Sequence, residues 1–352
     1  MIGPGSMQAA ILSEIGRPLV VAAVGLPEAL DAGQVLVKVH YSGICGSQLG
    51  EIDGAKGEDR FLPHLLGHEG SGTVLETGAG VRHVKKGDTV VLHWRKGLGI
   101  ESATPAYTWN GRRVNAGWVT TFNEYAIVSE NRLTAIPPGS DLRIAALLGC
   151  AVTTGFGVVT NNAKLRIGES VVVYGAGGVG LNIVQAAGLA GAYPVIAVDR
   201  YDNRLALASA MGATHCVNAA RQGAEAAILA ALGTQALDCF IDNTGVPSII
   251  ELGFRMTNPR GRVTLVGVPR KGEDITVHSL PLHFGKSLSG SHGGEAEPHE
   301  DIPRYLNLLA AGRLRLAEQI TGVYPLADVN AAIEDMRSGQ ASGRSLLRLG
   351  ST

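Results

Sequence analysis

The chain has 352 residues, more than one ordinary hydrophobic core accommodates, and so predicts two domains. Hydrophobic residues make up 45% and charged residues 17%, and the 48 glycines are spread along the chain, which excludes a disordered or low-complexity protein. Thirty Lys and Arg against 31 Asp and Glu leave a net charge of -1 and no basic stripe, which excludes nucleic acid as a partner.

Residues 1–6 read as an expression remnant, with the natural pattern beginning at Met7. No basic segment followed by an apolar one opens the chain, and its four cysteines have no regular spacing, so neither a secretory signal nor a disulfide framework is expected. A reducing, cytoplasmic setting follows. From Met7 to about Arg143 the signals are short β-type runs broken by glycine, at 35–41, 70–77, 89–93 and 124–128, and they predict a mostly-β domain.

Beyond residue 169 apolar strands alternate with alanine-rich helices, the pattern of βαβ units in a parallel, doubly wound sheet. Strands are expected at 170–174, 194–198, 215–218, 236–242, 262–266 and 287–290. The uncharged stretch from Ser170 to Val198 has the length of a membrane span, but it holds Asn182, Gln185 and Pro194 and parses as strand, turn, helix and strand. No membrane partner is expected. Amphipathic segments at 302–311 and 326–338 and a last strand at 346–349 are expected to return to the first domain.

Gly175, Ala176, Gly177, Gly178, Val179 and Gly180 follow an apolar strand directly and open a helix. A tight glycine turn there lets backbone N–H groups approach a pyrophosphate at the helix N-terminus. In a chain this rich in glycine the motif alone is weak, but Asp199 ends the next strand, where a carboxylate accepts both ribose hydroxyls. That acid favours NAD over NADP, while Arg200 and Arg204 beside it offset part of the repulsion of a 2'-phosphate.

Three further motifs are scattered along the first half: Gly43-Ile44-Cys45-Gly46-Ser47, Gly67-His68-Glu69-Gly70 and Gly149-Cys150-Ala151. Taken singly, each cysteine reads as a small buried hydrophobe and His68 as a structural hydrogen-bonder. Taken together, two thiolates and an imidazole form a zinc ligand set that leaves a fourth tetrahedral position open to substrate.

These segments, in this order ahead of the glycine loop, resemble the zinc-dependent alcohol dehydrogenases of the medium-chain dehydrogenase/reductase superfamily. The resemblance spans nearly the whole chain from Met7. It implies a GroES-like catalytic domain, discontinuous in sequence at 7–151 and 291–352, around a Rossmann domain at 152–290. It implies one catalytic zinc per chain on Cys45, His68 and Cys150, with Glu69 beside it as a supporting or transient ligand. Thr154 matches a position that packs on the nicotinamide, Arg344 one that reaches the pyrophosphate, and Trp94 one that walls the substrate pocket. Ser47 matches the hydroxyl that begins a proton relay. The implied chemistry is hydride exchange between an alcohol, secondary, polyol or sugar, and NAD, with zinc stabilising the alkoxide. A homodimer or homotetramer is implied, with 287–290 pairing across a two-fold axis.

The chain also departs from that family. The region 93–125 holds no cysteine, so the second, structural zinc of several members is expected to be absent, its place taken by packing of Trp94, Tyr107, Trp109, Trp118 and Phe122. Gln48 replaces the aspartate that commonly bonds the ligating histidine, and Gly50 replaces a relay histidine. Two alternatives stand beside the main reading: a zinc-free NADPH-dependent carbonyl, enone or quinone reductase on the same fold, and a dinucleotide-binding protein without turnover.

Overall fold

The structure, a computed structural model, describes residues 3–221 and 223–350. The chain forms two compact units, one running to Cys150 and resuming at Glu297, the other spanning Ala151–Ala296. The second unit thus extends beyond residue 290. The turn Gly293–Glu295 belongs to it because Asn161 donates from Nδ2 to the Gly294 carbonyl at 2.9 Å and a Cβ on Gly157 would lie 2.3 Å from the same oxygen.

In the first unit the strand Gln34–Gly43 is the organising element. It pairs antiparallel with Glu69–Thr77 on one side and with Tyr125–Ser129 on the other, and its end pairs with Arg344–Arg348. Its sequence, QVLVKVHYSG, is rich in β-branched residues and alternates in face: Val35, Val37 and Val39 enter one core with Val90, Leu92 and Leu347, while Leu36 enters a second core with Ile11, Tyr107 and Val114. That alternation lets one strand wall two hydrophobic clusters. The pairing with Arg344–Arg348 is the physical reason the unit is discontinuous in sequence.

The second core is enclosed by a small barrel in the order Ser6–Leu12, Val20–Gly25, Ala106–Trp109, Arg112–Asn115 and His64–Leu65. Closure leaves its short strands without an open edge. The hairpin between Trp109 and Arg112 turns on Asn110 and Gly111, both at positive φ (52° and 72°), the backbone that a two-residue turn of this kind demands.

Among the described residues, the second unit carries one six-stranded parallel sheet in the order His215–Asn218, Val195–Asp199, Val171–Tyr174, Leu237–Asp242, Thr257–Leu265, Ser287–Gly290. Numbered by sequence that is 3-2-1-4-5-6, the doubly wound dinucleotide-binding order. The stretch 170–198 is strand, glycine turn, helix Gly178–Leu189 and strand, and no helix among the described residues is long and apolar enough to cross a membrane.

Candidate metal centre and dinucleotide loop

Each of the three motifs delivers its residue from a strand or helix end, all within the first unit. Cys45 leaves the strand Gln34–Gly43 in an extended conformation and caps the helix Gly46–Ile52. His68 lies immediately before the strand Glu69–Thr77, and Cys150 follows the helix Leu142–Leu147. Their ligand atoms lie within 4.8 Å of one another, with both cysteines buried and His68 half-buried. The Cys45 thiol is held well below its usual range, first by a hydrogen bond with Cys150 and then by His68 and Arg344, against the opposing effect of burial.

Such a donor set, two sulfurs and an imidazole with one thiol already disposed to ionise, fits zinc. The neighbouring carboxylate has a cationic partner. Glu69 is fully buried and forms an ion pair with Arg344, itself 3% exposed. Arg344 is held in the first unit against Glu69 and the Cys45 sulfur. The reason is positional: it begins the strand that pairs beside Gly43.

Gln48 bridges two of the three residues. Its Oε1 accepts from the Cys45 N–H at 3.1 Å, and its Nε2 lies 2.5 Å from His68 Nδ1. Gln48 therefore reaches the histidine, with its amide nitrogen facing the ring. Holding a metal through Nε2 requires the proton on Nδ1 and the amide oxygen turned toward it, so loading and amide orientation are linked. Gln48→Leu should weaken zinc binding about 10- to 100-fold, measured by competition with a chromophoric chelator. An unchanged affinity would show that His68 is oriented without it.

Ser47 is exposed on the first turn of the same helix, and Trp94 is half-buried directly after the strand Thr89–His93. The aromatic residues expected to pack the cysteine-free region divide: Tyr107 and Phe122 are buried, with the Tyr107 hydroxyl accepting from the Ile127 N–H, whereas Trp118 is 60% exposed. Asn123 and Glu124 serve the backbone, the first donating to Thr120 and Tyr125 carbonyls and the second accepting from the Gln8 N–H.

In the second unit the glycine loop joins Val171–Tyr174 to the helix Gly178–Leu189, with Gly177 as its cap. Asp199, 5% exposed, accepts from the Ala176 N–H in that loop at 2.8 Å and from the N–H groups of Arg200 and Tyr201. The carboxylate thus shapes the turn. Arg204 stands 4.0 Å from Asp199, and the guanidinium groups of Arg200 and Arg204 both lie over the Tyr201 ring. Val179 is half-buried in the first turn, and Thr154 is buried in the helix Ala151–Gly157. At Gly180 a Cβ would meet the Gly175 carbonyl oxygen at 1.9 Å, so Gly180→Ala must push helix and loop apart. That overpacking should cost about 1–3 kcal/mol and appear as weaker NADH binding by fluorescence titration; binding within twofold of wild type would contradict this account of the loop.

A parallel sheet in the 3-2-1-4-5-6 order with a glycine loop, in a chain that also gathers two cysteines and a histidine, defines a dinucleotide-binding dehydrogenase with a metal centre. A family model described as zinc-binding dehydrogenase matches residues 178–311, and one described as alcohol dehydrogenase GroES-like domain matches residues 31–138. The chain belongs to the zinc-dependent alcohol dehydrogenase family of the medium-chain superfamily. It is 30% identical to the S-(hydroxymethyl)glutathione dehydrogenase of Synechocystis, over 95% of this chain and 97% of that one. Among solved structures it resembles an alcohol dehydrogenase zinc-binding domain protein from Burkholderia ambifaria (TM-score 0.89, 29% identity, 98% and 99% covered). It also resembles the benzyl alcohol dehydrogenase of Acinetobacter calcoaceticus (TM-score 0.87, 27% identity, 98% and 99% covered).

Proposed function

We propose that the chain interconverts an alcohol, in particular a secondary alcohol, polyol or sugar, with its aldehyde or ketone, using NAD(H) ahead of NADP(H) and one zinc per chain. The observation that carries this reading is the approach of Cys45, His68 and Cys150 to within 4.8 Å in one cluster whose buried Cys45 thiol favours the thiolate. Bound there, zinc would supply Lewis-acid polarisation of the alcohol or carbonyl oxygen.

The protein's own groups divide the remaining work. Arg344 holds positive charge against Cys45 and Glu69, favouring the ionised thiol. Ser47, an exposed hydroxyl two residues past Cys45, is suited to pass a proton toward solvent. The glycine loop offers helix-end N–H groups to a pyrophosphate, Asp199 a carboxylate to ribose hydroxyls and Thr154 a packing surface for nicotinamide. Asp199 supports the preference for NAD. Two or four copies assembling through the edge strand Ser287–Gly290 fits the exposure of Leu280, Leu282 and Phe284 just before it. The two reduced ligand cysteines suit a cytoplasmic setting.

The test is a screen of primary, secondary, polyol and aromatic alcohols, followed by NADH absorbance on metal-replete protein, alongside a metal assay. Roughly one zinc per chain is expected, with both zinc and turnover lost in Cys45→Ala. Turnover that survives in the zinc-free variant would overturn the proposal.

A further inference from the structure

The segment that begins at Trp94, directly after the strand Thr89–His93, is ordered by a short polar turn, Glu130–Arg132, whose three residues are all buried. Glu130 accepts from the backbone N–H groups of Arg82 and His83 through Oε1 and of Ile100 through Oε2. The Asn131 carbonyl accepts from the Gly97 N–H at 2.7 Å, and the Ser129 hydroxyl accepts from the Ser102 N–H at 2.9 Å. Residues 94–102 are thereby stitched to one turn along their length.

Arg132 has the most demanding position. It is 2% exposed, donates from Nη1 to the Trp94 carbonyl and from Nη2 to Glu101 Oε1 at 3.0 Å, and its guanidinium lies 5.0 Å from the Trp118 ring centre. Both tryptophan segments border the same ligand. Glu69 pairs with His93 across the sheet, so Trp94 lies where the register continues toward His68. Beyond Trp118, the N–H groups of Thr121 and Phe122 both donate to Leu66, two residues before His68. One planar cation therefore ties together the two segments flanking the His68 turn, using edge and face at once, which an ammonium group cannot do.

We propose that Arg132 is a positioning residue that fixes Trp94 beside the metal centre and thereby sets the bulk of alcohol the enzyme accepts. This rests on the reading of Trp94 as pocket wall, and the test separates the two. The ratio of kcat/KM for a slender over a bulky alcohol is measured in wild type, Trp94→Ala, Arg132→Met, Arg132→Lys and Glu101→Gln. In Arg132→Met the ratio should fall about tenfold, through a lower KM for the bulky alcohol, in the same direction as in Trp94→Ala. Arg132→Lys should recover part of the discrimination. Hydrogen exchange over residues 94–101 should rise in Arg132→Met with or without metal, while zinc stays at one per chain. A ratio that moves in Trp94→Ala but stays within twofold in Arg132→Met and Glu101→Gln would overturn the proposal. A ratio unmoved in Trp94→Ala would instead overturn the pocket-wall reading and the proposal with it. Should Arg132→Met fail to fold, Glu101→Gln decides: a shift in the same direction supports the proposal and an unchanged ratio overturns it.

Discussion

Arg344→Met should lower the free energy of unfolding by about 3–5 kcal/mol, the size expected when one partner of a buried ion pair is removed. The pair is enclosed on both sides, Glu69 being fully buried and Arg344 3% exposed, so solvent cannot compensate the carboxylate. Glu69 would then be left buried without its cation. The double variant Glu69→Gln/Arg344→Met should regain most of the loss, since it removes both charges together. Urea unfolding of the three variants checks this. A cost below about 1 kcal/mol for Arg344→Met, the size of a surface pair, would mean the two groups do not depend on each other.

The second large effect is acid lability from His93. Its ring is fully buried, with Nδ1 donating to the Arg95 carbonyl and Nε2 beside the Thr134 hydroxyl. Burial first of all, then the charges of Arg132 and His299, hold its pKa near about 4 against an ordinary 6.5, while backbone hydrogen bonds to Arg95 and Leu133 oppose the shift. Because the folded value is lower, the unfolded chain binds the proton more readily between those limits. The stability this group contributes is complete above pH 6.5, declines as pH falls toward 4, and declines no further below that. Across the window the loss is on the order of 3 kcal/mol. His93→Gln keeps a donor and an acceptor without titrating, so its unfolding midpoint should fall less steeply between pH 6.5 and 4. An equally steep fall in the variant would assign the lability to other groups.

The elements legible in the sequence were those with short-range signatures. Strands such as Thr89–His93, His215–Asn218 and Ser287–Gly290 stand at the predicted positions, and the glycine loop announces itself by following Val171–Tyr174 and opening a helix. The approach of Cys45, His68 and Cys150 was anticipated through joint motif context, because no local rule brings residues so far apart in the chain together.

What was missed depends on tertiary contact. Nothing near Arg344 signals that it pairs with Glu69; that follows from its strand docking beside Gly43. Nor does the turn Glu130–Arg132 look like anything but a polar loop, although the Glu130 and Arg132 side chains hold Ile100, Trp94 and Glu101. The hairpin Ala106–Trp109 with Arg112–Asn115 had a usable signal in Asn110-Gly111, a dipeptide suited to positive φ at both turn positions. The extension of the second unit to Ala296 had none, because it rests on Gly294 meeting Gly157.

Zinc K-edge absorption on the purified, unchelated protein tests the metal centre most directly. Two sulfur scatterers at about 2.3 Å and a nitrogen at about 2.0–2.1 Å are predicted, at one zinc per chain, with one sulfur lost in Cys150→Ser. A shell of oxygen and nitrogen alone, indifferent to that substitution, would contradict the account.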